Sequence, residues 1–441
     1  ALGALTVNST GTTTFSSTVN AASVTTNTGG TTAINGGAVT TSGTQTFNDA
    51  VTLGAATALN TTNSNIAFAS TLNSSSSSRA LTIGAGTGSV TFTGAVGGSL
   101  ALGATNITAG TTTNSSTLVG SDVYAITGNA VVNGAISGVS NLSVSGTTTI
   151  AANITTSGTQ LYSGAVTLNA NTTLTTTDSN VTFASTVNSN TTPAKTLTIA
   201  AGSGTVTMNG AVGGSSVLGA TTITAGTFTS GSSGSIAMGA NALTLNVDAI
   251  NIGAAISGTS TLTIAPRTAS TTIALGTSAT GSLKLDDTEL AYLTNGFNTI
   301  TFGSSAATGK ITAAAFTYSD YIRLYNYGAS SSGIEFIGAF NTGTDNLTIY
   351  TTGSVTQAAG GSIAAAGLEL LGTGATYTLT NTANAISTLA GNTTTVSYLQ
   401  NSNFAIGTVN TVGLTATTLT LSSTQTVTQS VSYTHLTLPT I

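Results

Sequence analysis

The chain has 441 residues, only 4% of them charged, with 53 glycines, 3 prolines, no cysteine and a formal net charge of −5. With 39% hydrophobic residues it is not a charge-expanded disordered chain, and without cysteine it has neither a disulfide framework nor a thiolate metal site. Its six basic residues, Arg79, Lys195, Arg267, Lys284, Lys310 and Arg323, form no cluster, which argues against nucleic acid as a partner.

Ala1 is neither a methionine nor the start of a signal pattern, so the sequence is read as a piece of a longer reading frame. From Leu5 to about Ile264, short runs alternate apolar and polar residues at period two, as in Leu81-Thr-Ile83, Val90-Thr-Phe92 and Leu243-Thr-Leu-Asn-Val247. That period predicts half-buried strands, and the Gly-Gly, Asn-Gly and Ser-Gly pairs between them predict turns. Thr, Val and Ile favour pleated backbone, and so few prolines leave strand ladders intact. The predicted class is all-β.

Within this region the chain repeats itself. Thr40-Thr-Ser-Gly-Thr-Gln45 returns as Thr155-Thr-Ser-Gly-Thr-Gln160, and Phe68-Ala-Ser-Thr71 returns as Phe183-Ala-Ser-Thr186, an offset of 115 (155 minus 40). After a one-residue insertion, Gly94-Ala-Val-Gly-Gly98 returns as Gly210-Ala-Val-Gly-Gly214. Strands of this length could make a sandwich, a barrel or a solenoid. Tandem sandwiches carry a Trp or Cys pin and Pro-marked linkers, and none is present, so a continuous parallel β-helix (β-solenoid) fits better. With about 20 residues per coil and coils about 4.8 Å apart, it is expected to form an elongated rod of about 21 coils. The open edges at its two ends predict end-to-end self-association.

The sequence divides by character into 1–265, rich in Thr and Gly, 266–346, and 347–430. The second stretch holds more than half of the charges, together with Phe316, Tyr318, Tyr321, Tyr325, Tyr327, Phe336 and Phe340. Asp286-Asp287-Thr-Glu289 could supply paired carboxylates for glycoside cleavage. It also reads as a helix cap: with Asp286 at the N-cap, Glu289 completes a capping box and Leu285 and Leu290 form a hydrophobic staple. One short helix near 286–293 is therefore expected. Tyr321, Arg323, Tyr325 and Tyr327 fall on one face of a strand, with Ile322 and Leu324 on the other. This aromatic face with its arginine is the candidate ligand-contact face, suited to sugar or protein. The alternative is an aromatic stack packed within a coil.

Beyond it, Leu347-Thr-Ile-Tyr-Thr-Thr-Gly-Ser-Val-Thr-Gln357 returns as Leu419-Thr-Leu-Ser-Ser-Thr-Gln-Thr-Val-Thr-Gln429, an offset of 72 (419 minus 347). Residues 431–441 read as a translated sequencing adapter, which removes His435, the single histidine, from the native chain. Without it a serine nucleophile lacks its base. Gly309-Lys-Ile311 lacks the pattern of a phosphate loop, and no Asp has the spacing of calcium-binding nonapeptide repeats. Catalysis, metal and cofactor are not expected.

Three passages carry a resemblance. Thr26-Asn-Thr-Gly-Gly-Thr-Thr-Ala-Ile-Asn-Gly-Gly37, Leu283-Lys-Leu-Asp-Asp-Thr-Glu-Leu-Ala-Tyr-Leu293, and Val355-Thr-Gln357 with Leu368-Glu-Leu-Leu-Gly372 are similar to the repeat-rich bacterial exoproteins related to filamentous haemagglutinin, including autotransporter-type adhesins. The resemblance implies a right-handed parallel β-helix, secretion through an outer-membrane translocator, display at the bacterial cell surface as a stalk, and attachment to host-cell or surface glycans or proteins. The rival reading on the same scaffold is a polysaccharide lyase or hydrolase.

Overall fold

The structure is a computed structural model describing residues 2–120, 122–190, 192–328 and 331–429. The adapter-like segment and His435 lie outside the described residues. The chain is an all-β parallel β-solenoid of about 20 coils, with one short helix among the described residues. Contacts divide it into two compact units. One runs to Ala225 and takes in Thr229–Ala237; the other comprises Gly226–Phe228 and continues from Met238. That division falls inside the 1–265 segment distinguished by composition.

In the first unit several coils have three strands, as in Ala38–Thr41, Gln45–Phe47 and Ala50–Leu53, while Val19–Thr26, Thr105–Asn114 and Tyr124–Val132 each run through two faces as one strand, and strands pair in parallel with their equivalents one coil on. Ile83 thus stands between Leu59 and Ile107, and Val90 stacks on Ile66. Alternation explains which side chains go inside. Leu81 and Ile83 are buried while Thr82 is exposed, and Leu243, Leu245 and Val247 of the second unit are buried while Thr244 and Asn246 are half-buried. Each fully buried side chain of this size contributes about 1.5–3 kcal/mol relative to exposure. Inside, like stacks on like: Phe47, Phe68 and Phe92 form a continuous column with ring centres 5.1 and 5.2 Å apart.

The 115-residue repeat is a repeat of hydrogen bonds as well as letters. Gln45 and Gln160 are both buried, and their amides donate to equivalent carbonyls, Val39 and Asn60 in the first copy, Ile154 and Thr175 in the second. Asn63 and Asp178 both take positive φ, of 54° and 49°, and each side chain accepts the N–H of a residue one coil on, Thr87 or Ser203. The copies nevertheless lie on different faces. Phe47 belongs to the column of Phe68 and Phe92, whereas Tyr162 follows Val144 in the column descending from Leu59 and Ile83. The repeat does not span a whole number of coils. The 72-residue recurrence is displaced in the same manner: Leu347 stacks with Leu368 and Leu389, but Leu419 with Val396, Tyr377 and Val355.

In the second unit, regular coils are interrupted between Ile264 and Phe302, which pair directly although the chain between them makes a lateral excursion. The excursion holds the strand Leu283–Leu285 and the helix Asp287–Ala291. Asp286 accepts from the N–H groups of Thr288 and Glu289, and the Glu289 carboxylate accepts from the Asp286 N–H. Leu285 and Leu290, which flank this box, are both buried. Glu289 also accepts from the N–H of Ile252, so the capping residue ties the helix to a neighbouring coil.

Candidate functional site

The strand Ile322–Asn326 turns Ile322, Leu324 and Asn326 inward and leaves Tyr321, Arg323, Tyr325 and Tyr327 half-buried on the outer face. Parallel pairing sets residues from later coils beside them. Arg323 aligns with Thr348 and then Glu369, and Tyr325 with Tyr350 and then Leu371.

Two arrangements result. In the first, Tyr325 and Tyr350 stack almost flat, with centres 5.0 Å apart and planes 5° apart, and Tyr327 tilts against Tyr350 at 4.3 Å. The Arg323 guanidinium carbon lies 4.3 Å from the Tyr325 ring centre and 5.6 Å from that of Tyr350, within cation–π range of both. These rings face each other rather than forming an open stacking platform. Burial, reinforced by Tyr327 and Tyr325 and opposed by Arg323, raises the Tyr350 phenol above its ordinary value, so it remains a neutral donor. The Arg323 side chain makes no ion pair or hydrogen bond among the described residues, and its Nε is buried without a partner.

In the second arrangement, Glu369 is 2% exposed and collects four hydrogen bonds, from Thr348 Oγ1, Asn410 Nδ2, Thr411 N and Thr411 Oγ1. Burial alone would raise its pKa, but these donors outweigh burial and hold the carboxyl below its ordinary value. Because Thr348 donates to the carboxylate, the 2.6 Å contact between Tyr321 Oη and Thr348 Oγ1 has the tyrosine as donor. Tyr321 Oη in turn accepts from Asn410 Nδ2 at 2.7 Å. Tyr321 is therefore occupied within a network that pins the hairpin 407–413 over the outer face, closed by a bridge between Thr408 and Val412. The hairpin needs Gly367 beneath it, since a Cβ there would come within 2.7 Å of Val409. A cleft of about 360 Å³ opens between the two arrangements, lined by Tyr321, Arg323, Thr348, Leu371 and Asn410 together with Glu369 and Thr411 of the network.

Not all of the aromatic run faces outward. Tyr318 is buried among Phe302, Phe316 and Phe340, and burial drives its phenol far upward. The acids behave similarly. Asp287 accepts the N–H of Thr277, and Asp320, whose pKa is raised chiefly by burial, accepts the N–H of Gly296. Asp248 bonds Thr268 and Thr271 and pairs with Arg267, and Lys310 pairs with Glu335 at 2.7 Å. Ten of the eleven carboxylates accept at least one hydrogen bond from the surrounding fold.

Sequence reasoning placed Tyr321, Arg323, Tyr325 and Tyr327 on one face but missed Glu369, Asn410 and Thr411. Glu369 carries a signal, being one charge inside Leu368-Glu-Leu-Leu371. Asn410 carries none, because a hairpin brings it there from 89 residues away. Family models, curated proteins and solved structures give no match to this chain.

Proposed function

We propose that this chain is a stalk-forming and adhesive segment of a large bacterial exoprotein, secreted through an outer-membrane translocator or displayed at the cell surface, and that it works without catalysis. The observation that carries the adhesive part is the outer cluster of Arg323, Tyr325, Tyr327 and Tyr350, in which a guanidinium with no counter-ion among the described residues lies against aromatic rings beside a cleft. Arginine and tyrosine are the residue types that anchor recognition surfaces. The stalk role rests on the solenoid itself, whose backbone groups are paired coil to coil and whose outer hydroxyls hydrate it at low charge. The non-catalytic reading is supported by the carboxylates, which are engaged in caps, ladders and turns.

The test is adhesion of the chain to cells and to a glycan array, beside an Arg323→Ala/Tyr325→Ala/Tyr327→Ala variant. Adhesion by the parent and its loss in the variant is the expected result; equal adhesion by both would remove the site from this face. Self-association belongs to the same proposal. Leu2–Val7 and Leu414–Ser423 each pair on one side only among the described residues. Sedimentation across a dilution series should show concentration-dependent assembly, and a strict monomer throughout would contradict it.

A further inference from the structure

Resting on that adhesive reading, we infer that the cleft beside Arg323 takes the carboxylate of an acidic saccharide. The inference comes from which groups in the cleft remain free. Tyr321 Oη donates to Thr348 and accepts from Asn410, both N–H groups of Asn410 are given to Tyr321 and Glu369, and Thr348 donates to Glu369. Glu369 is buried beneath four donors, so its charge is already compensated. What remains is the Arg323 guanidinium, held by Tyr325 and Tyr350 and without a carboxylate of its own among the described residues. A planar fork of N–H donors fixed at its stem is the partner geometry of a planar carboxylate.

The rest of the cleft points to a sugar ring. Its volume of about 360 Å³ accommodates one ring, and Leu371 offers an apolar patch for the C–H face. An acidic side chain of a peptide would satisfy Arg323 but would leave this space and the Leu371 patch unused.

The experiment titrates the full chain with a glucuronate-containing tetrasaccharide, its carboxyl-reduced neutral counterpart, and a poly-glutamate peptide. Arg323→Gln and the charge-retaining Arg323→Lys are run in parallel, with circular dichroism confirming that each is folded. The expected result is binding of the acidic tetrasaccharide alone, weakened about tenfold or more in Arg323→Gln, less in Arg323→Lys, and reduced by added salt. Equal binding of the reduced sugar, retained binding by Arg323→Gln, or preference for the peptide would each overturn the inference while leaving an adhesive face in place. Binding of none of the probes would also overturn it. The cell-adhesion assay then decides separately whether the adhesive reading falls as well.

Discussion

Gln45 and Gln160 occupy the same place in two copies of one repeat, yet only one is fully bonded. Both amides donate to matching carbonyls, but the Gln160 carbonyl also accepts from Tyr162 Oη at 3.0 Å, whereas Gln45 Oε1 is buried with no partner. The cause is a single oxygen, since the residue equivalent to Tyr162 is Phe47. Tyr398, outside the repeat, satisfies Gln400 Oε1 in the same way at 2.6 Å. The solenoid thus tolerates transfer of a repeat from one face to another provided the interior donors and acceptors travel with it. An unpaired buried atom marks where one did not.

The two copies differ most in their ring columns. Phe68 lies between Phe47 and Phe92, whereas its counterpart Phe183 stacks on Tyr162 alone and is followed by Met208. Phe68→Ala should cost about 4 kcal/mol in urea unfolding. Phe183→Ala should cost about 1 kcal/mol less, the worth of one aromatic pair. Equal losses would mean that ring stacking adds nothing beyond burial.

Glu369→Ala comes next, at about 3 kcal/mol, because it strands the donors of Thr348, Asn410 and Thr411. Its pH signature is specific. A carboxyl whose folded pKa is depressed contributes stability that is present above its unfolded value, near 4.5, and is lost as pH falls through the folded value. Glu369→Gln should therefore flatten the acid limb of the stability curve. An unchanged acid limb would assign that limb to other carboxylates.

The repeat itself supplies the two smallest effects. Tyr162→Phe recreates the first copy in the second and should cost about 1–2 kcal/mol by leaving Gln160 Oε1 unpaired. Phe47→Tyr performs the reverse and should gain up to about 1 kcal/mol if the hydroxyl reaches Gln45 Oε1. A loss in Phe47→Tyr would show that the column has no room for the oxygen.

Much of this fold was legible beforehand for local reasons. Period-two alternation places Leu81 and Ile83 inside by strand geometry alone, and Asp286 and Glu289 declare a capping box within four residues. What stayed hidden depends on coil length. Loops of varying size sum to a fractional number of coils, so the sequence shows that Gln45 and Gln160 correspond but not that they stand on different faces. The candidate site was half legible for the same reason: Tyr321 to Tyr327 share a strand, while Glu369 and Asn410 arrive through coils and a hairpin whose register no short motif encodes. The structure also divides the predicted face, giving Tyr321 to the Glu369 network and leaving Arg323 free.

If the Arg323 cluster is a binding face rather than one more element of coil packing, removing it abolishes adhesion without loosening the coils. Stability and cell adhesion are therefore measured on the same Arg323→Gln/Tyr327→Ala protein. A melting temperature within about 3 °C of the parent, as for a surface change in a domain of this size, is expected together with loss of adhesion. A melting temperature lowered by about 10 °C with adhesion intact would make the cluster a packing element and not a binding face.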